Sequence, residues 1–169
     1  MLNLLLVQKA FWMNRHLMTI NDMKQIRYVR EWNDGNSDNG HLAHWIELEV
    51  FSNGMNVALN KPVSTNFYPN LDVSGQSLPK IIVDNNISLE SYVSISLDLQ
   101  RHRPAMVVID LRDIYECEAI QIWHGWWNPK RWYKTVLEIS TDGGNWEKIY
   151  DWESDQPIYE TQYGHLYEL

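Results

Sequence analysis

Hydrophobic and polar positions alternate with period two through most of the chain. Ile26–Trp32 sets Ile26, Tyr28 and Arg30 on one face and Arg27, Val29 and Glu31 on the other. His44–Phe51 sets Trp45, Glu47, Glu49 and Phe51 against the apolar Ile46, Leu48 and Val50. Tyr92–Leu99, Ala119–Trp123, Thr135–Ser140 and Trp146–Tyr150 repeat the pattern, while Lys80–Asn86 and Met106–Asp110 hold short apolar runs that read as strands. Ile158–Leu169 adds a last, tyrosine-rich strand. Alternation of this kind suits half-buried strands, whose successive side chains point to opposite faces. Turn chemistry separates the segments at Ser52-Asn53-Gly54, in the Ser/Asn/Pro/Gly-rich stretch 64–79 and at Thr141-Asp142-Gly143-Gly144. About nine strands with regular turns and little helix predict an all-β antiparallel sandwich.

Residues 1–25 depart from that pattern. Their apolar positions, among them Leu2, Leu5, Leu6, Phe11, Trp12, Leu17 and Ile20, fit a helix about as well as a strand. They are read as an N-terminal extension, a helical or docking segment, ahead of a domain at 26–169.

The 169 residues suffice for one core without disulfides. The single cysteine, Cys117, has no partner for an internal bridge and reads as a small buried hydrophobe. Fourteen basic and twenty-two acidic residues leave a net charge of −8, which disfavours nucleic-acid binding through phosphate neutralisation. No apolar run is long enough to span a bilayer, and Met1–Val7 lacks the basic region of a signal peptide. The expectation is a protein made in the cytoplasm, with no membrane insertion, that either stays there or leaves by cell lysis, as virion parts do.

Nine tryptophans and nine tyrosines against three phenylalanines favour amphipathic rings over purely apolar ones. Three of those tryptophans crowd one loop between two strands, with His124, Trp126, Trp127, Asn128, Arg131 and Trp132 within nine residues. Indole faces stack on the C–H faces of sugar rings, while Arg, Asn and His serve their hydroxyls. The same residue types also pack loops and enrich subunit interfaces, so both of those readings stand beside sugar contact. Elsewhere the chemistry is sparse. The polar loop 33–40 lacks the closing glutamate of an EF-hand, and Asp38, His41 and His44 make no distinctive metal spacing. Glu47/Glu49 and Asp151/Glu153/Asp155 do not define two carboxylates across a cleft. Nucleophile elbow, phosphate loop and paired-cysteine motifs are lacking, so a binding protein is expected and not an enzyme.

Four segments taken in order, NVALNKPV (56–63), IVDNN (82–86), VVIDLRDIYECEAIQIWH (107–124) and RWYKTVLEISTDGGNWEKIYD (131–151), resemble the discoidin domain. That family includes the C-type domains of coagulation factors V and VIII and the family-32 carbohydrate-binding modules, all with a galactose-binding-like jelly-roll fold. The likeness covers about residues 26–165. Asn60, Asn85 and Arg112 stand where the family pattern has glycine. Segment RYVREW…HWIELEVF, which closes the domain in the family, here precedes the opening motif. The resemblance therefore implies a circularly permuted sandwich whose closing hairpin, 26–51, comes first; the tail of one domain followed by most of another is the alternative. Permuted relatives occur in bacteriophage tail and surface proteins. The family further implies a sugar site at His124, Trp126, Trp127, Asn128, Arg131 and Trp132. It also implies a structural Ca²⁺ held by Glu47, Asp84 and Asn86; the threonine expected after that turn is missing, with Ser88 or Leu89 near its place. The expected partners are a bacterial surface glycan, other virion proteins and further copies of the chain. The alternative is a purely structural virion protein in which the aromatic loop and the N-terminus mediate assembly.

Overall fold

Eleven strands and one 3₁₀ helix make up the regular structure in a computed structural model that describes residues 23–36, 42–66, 78–96, 104–126, 135–156 and 158–169. The strands are β1 (Lys24–Asn33), β2 (Leu42–Trp45), β3 (Glu47–Ser52), β4 (Met55–Asn56), β5 (Val63–Thr65), β6 (Val93–Ser96), β7 (Ala105–Cys117), β8 (Ala119–Trp123), β9 (Val136–Ser140), β10 (Glu147–Asp151) and β11 (His165–Glu168). A five-stranded sheet runs β10-β9-β1-β7-β5, a four-stranded sheet runs β11-β8-β3-β4, and β2 pairs with β6. Every pairing is antiparallel. The protein is an all-β sandwich, as the alternation predicts.

Both large sheets feed one core. Ile26, Val29, Val107, Ile109, Leu111 and Leu137 come from the five-stranded sheet, and Leu48, Val50, Ile120 and Ile122 from the other; all are buried. Cys117 is buried with them, and burial raises its thiol to about 12, which keeps it protonated and inert.

Strand faces differ from the simple alternation at three places. In β1 the register against β7 shifts between Ile26 and Tyr28. There β1 advances two residues, Ile26 to Tyr28, while β7 advances five, Tyr115 to Asp110, and the phase of β1 reverses, so Ile26 shares the inner face with Val29, Glu31 and Asn33, and Tyr28 and Arg30 turn outward. His44–Phe51 is not one strand. It breaks at Ile46, whose N–H donates to the Trp123 carbonyl at 2.8 Å, and continues as β2 and β3 in different sheets. Every residue of β3 is buried, Glu47 and Glu49 included. Lys80–Asn86 is not a strand either: Leu78–Val83 forms the 3₁₀ helix, and the tighter winding buries three consecutive residues, Ile81, Ile82 and Val83.

Segment 26–51 likewise does not form a hairpin. β1 lies between β7 and β9 at the centre of the five-stranded sheet, while β3 lies in the four-stranded one. Among the described residues, three of the four non-glycine residues with positive φ are Asn60 (58°), Asn85 (65°) and Arg112 (71°), the positions where the discoidin pattern has glycine. The fourth, Asn53 (51°), precedes Gly54 (72°) in the β3–β4 turn. Of the expected extension, residues 1–22 lie outside the described residues.

Candidate functional site

Strand β8 ends at Trp123, and the next residue roots the tryptophan-rich loop. His124 is fully buried. Its Nε2 meets Glu31 Oε1 at 2.9 Å, and its Nδ1 meets Glu160 Oε1 at 2.5 Å. The His124 N–H also donates to Glu160 Oε2 at 3.3 Å. Glu31 comes from the inner face of β1, and its second oxygen accepts the Trp45 indole N–H at 2.7 Å. Burial alone would push the His124 imidazolium down; the two carboxylates outweigh it and raise it to about 10. The arrangement is a buried Glu–His⁺–Glu triad tying β1, the end of β8 and the C-terminal segment together. His124 faces inward, with both ring nitrogens taken by carboxylates.

Two neighbours share this environment. Tyr167 on β11 is buried beside the triad with its hydroxyl unpartnered; burial, then Glu31 and Glu160, raises its phenol well above the ordinary value. His165 packs edge-on against Tyr167 at 4.6 Å, and burial lowers its imidazole.

Trp126 is half-buried, and its indole N–H is enclosed without an acceptor. Trp127, Asn128, Arg131 and Trp132 lie outside the described residues, as does His41. The structure thus brings His124 to a place where it anchors the loop, and Trp126 to its near edge.

Of the three expected calcium ligands, two converge. The Glu47 carboxylate accepts the N–H of Asp84 at 3.3 Å and of Asn85 at 3.1 Å. Burial is the largest influence on Glu47 and raises it to about 8, with Glu49 and Asp84 adding to the rise. Glu49, also buried, rises to about 7. Asn86 faces its own turn: its Oδ1 accepts the Ser88 N–H at 3.1 Å, as Asp84 Oδ1 accepts that of Asn86 at 2.9 Å. The donor set fits a hard cation in kind, with two carboxylates side by side, but Ca²⁺ would need further oxygens from backbone or water. Among the described residues no group of three or more His, Cys, Asp or Glu is placed to hold a metal. Glu118 shows the purely structural version of the Glu47 arrangement. Its two oxygens accept the N–H groups of Asn53 and Gly54 and close the β3–β4 turn.

Glu31 and Glu160 are the site residues that alternation and motif reading miss. A lone acid on the inner face of β1 between Val29 and Asn33 is the local signal for the first, visible only once the register shift is placed. No helix of the described residues is long and apolar enough to cross a membrane. Compared with known proteins, the chain matches no family model, no curated protein and no solved structure.

Proposed function

We propose that the chain is a non-catalytic carbohydrate-binding sandwich of a bacteriophage virion, recognising a bacterial surface glycan through the loop that starts at His124. The observation that carries this reading is Trp126. Two residues beyond a charge-locked anchor, it is only half-buried and has an indole N–H with no acceptor. The exposed part of its ring offers a sugar an apolar face to stack on, while the enclosed N–H lies out of a ligand's reach. The buried triad gives the loop a rigid root, so less freedom is lost when a ligand docks. Positive φ at the three glycine positions of the discoidin pattern supports the family likeness on which the virion assignment leans. In this reading Glu47 and Asp84 take a structural Ca²⁺ between the 84–86 turn and β3.

A structural virion role is the second reading. Met55, Ile114, Tyr159 and Tyr163 are each at least half exposed, at 65%, 50%, 60% and 58%, and apolar surface of this kind favours contact with neighbouring subunits.

Glycan-array binding by the purified chain tests the first reading, with its solution mass measured alongside by light scattering. Trp126→Ala and Arg131→Ala should each reduce binding by about tenfold or more while leaving the melting temperature in place. Unchanged binding in both variants overturns the loop assignment. A defined oligomer that binds no glycan selects the structural role.

A further inference from the structure

Outside the loop, the solvent side of the five-stranded sheet carries a second constellation. There β1 turns Tyr28, Arg30 and Trp32 away from the core, all three half-buried. Arg30 is held from three directions. Its guanidinium carbon lies 3.8 Å from the Trp146 ring centre and 5.2 Å from that of Trp32. Its Nε donates to Glu138 Oε2 at 2.7 Å, and the same oxygen accepts the Trp32 indole N–H at 2.8 Å. Glu138 faces Arg30 across the β1–β9 register, so the sheet itself fixes the pair. Trp146 is pinned in turn, its N–H donating to the Gly143 carbonyl at 3.1 Å. Tyr28 closes the row, 6.5 Å from Trp146 between ring centres.

A guanidinium set between two indoles and tied through Nε has given up its rotamer freedom before any ligand arrives. Its terminal Nη groups meet no acceptor among the described residues, and the side chain is 20% exposed. The charge balance narrows the ligand class. Arg30 pairs with Glu138, Lys24 with Glu147 and Lys148, opposite Glu138 in the register, with Asp151, so among the described residues the face holds its cations in ion pairs and offers an anion no free one. Stacking faces and the Nη donors remain, which suits an uncharged pyranose, with C–H faces for indole and hydroxyls for Nη, while the buried Glu138 holds Arg30 and Trp32 in place. We propose that Trp32, Arg30, Glu138 and Trp146 form a second saccharide site, specific for neutral pyranose units. This rests on the glycan reading of the chain and is separate from the loop at His124–Trp132.

The test is NMR of the full chain with ¹⁵N-labelled indoles, each peak assigned by a Trp→Phe variant. The neutral probes are methyl β-galactoside, methyl α-glucoside and methyl β-N-acetylglucosaminide, and galacturonate is the charged one. At least one neutral probe should move the Trp32 and Trp146 peaks. Trp146→Ala or Arg30→Gln should weaken that response by about tenfold or more, and Trp126→Ala should leave it intact. Movement at Trp126 alone overturns the second site and keeps the loop; movement at Trp32 and Trp146 alone does the reverse. Silence with every neutral probe, or preference for galacturonate, overturns the proposal. So does broadening of these two peaks with protein concentration in the absence of sugar, which identifies a contact between copies.

Discussion

Arg30 and Glu31 are neighbours in one strand and serve opposite sides of it. Arg30 lies outward against Trp146, while Glu31 lies inward, 2.9 Å from the Nε2 of His124. The period-two geometry of β1 thus places one charge on the surface and the next in the core, and each is balanced by a residue far along the chain.

The inner charge carries the larger energetic consequence. His124→Ala leaves Glu31 and Glu160 buried without their shared cation, and breaking a buried ion pair from one side costs about 3–5 kcal/mol. Urea unfolding should show a loss of that size. A loss under about 1 kcal/mol would mean that the glutamates are neutral or relaxed in the folded protein.

Stability should fall as pH rises. Glu47 and Glu49 hold their protons more tightly when folded, at about 8 and about 7 against an ordinary 4.5. His124 does the same, at about 10 against 6.5. The folded state therefore binds more protons than the unfolded one across both windows. The glutamate contribution is fully present below 4.5 and is lost as pH passes about 7 to 8. The histidine contribution is fully present below 6.5 and is lost through about 10. Urea midpoints measured across the range should decline, with Glu47→Gln flattening the lower limb and His124→Gln the upper. A midpoint that rises from neutral to alkaline pH contradicts this.

Arg112→Gly should stabilise the protein. Arg112 sits at φ 71°, where a side chain with a Cβ costs roughly 1–2 kcal/mol, and glycine returns most of that after its entropy loss. The expected gain is about 0.5–1 kcal/mol by thermal melting. Asn60→Gly and Asn85→Gly should change little, because asparagine tolerates this conformation. A destabilised Arg112→Gly would show that the Arg112 side chain contributes more than its backbone costs.

Calcium binding is expected to be weak at neutral pH and to strengthen as Glu47 ionises near pH 8. Excess Ca²⁺ should raise the melting temperature more at alkaline than at acid pH, by an amount that follows the ligand-linkage relation. Glu47→Gln should abolish the effect. A calcium shift that survives in that variant would place the ion elsewhere.

The sandwich was legible because its inward positions, such as Leu48, Val50, Ile120 and Ile122, are apolar at strict period two. Faces were lost where the backbone changed the period. The register shift after Ile26 reversed β1, and the 3₁₀ helix at Leu78–Val83 replaced a strand in a run too short to distinguish the two. In the site, the crowding of aromatics marked the loop beginning at His124, but the role of His124 was not readable. Its partners lie 93 and 36 residues away, and only the meeting of β1 with the C-terminal segment reveals them. Arg30, Trp32 and Trp146 carry no local signal for the same reason, since Glu138, which joins the first two, is 108 residues from Arg30.

The central position of β1 has a consequence for how the molecule comes into being. Lys24–Asn33 leaves the ribosome early, yet both of its sheet neighbours, Ala105–Cys117 and Val136–Ser140, are made much later. Until then a segment holding Ile26, Val29 and the unpaired Glu31 waits without a partner on either edge. Closure across such separations is slow, and an unpaired strand offers itself to other chains meanwhile. Yield in the cell should thus depend on synthesis rate and chaperone supply more than the finished sandwich would suggest.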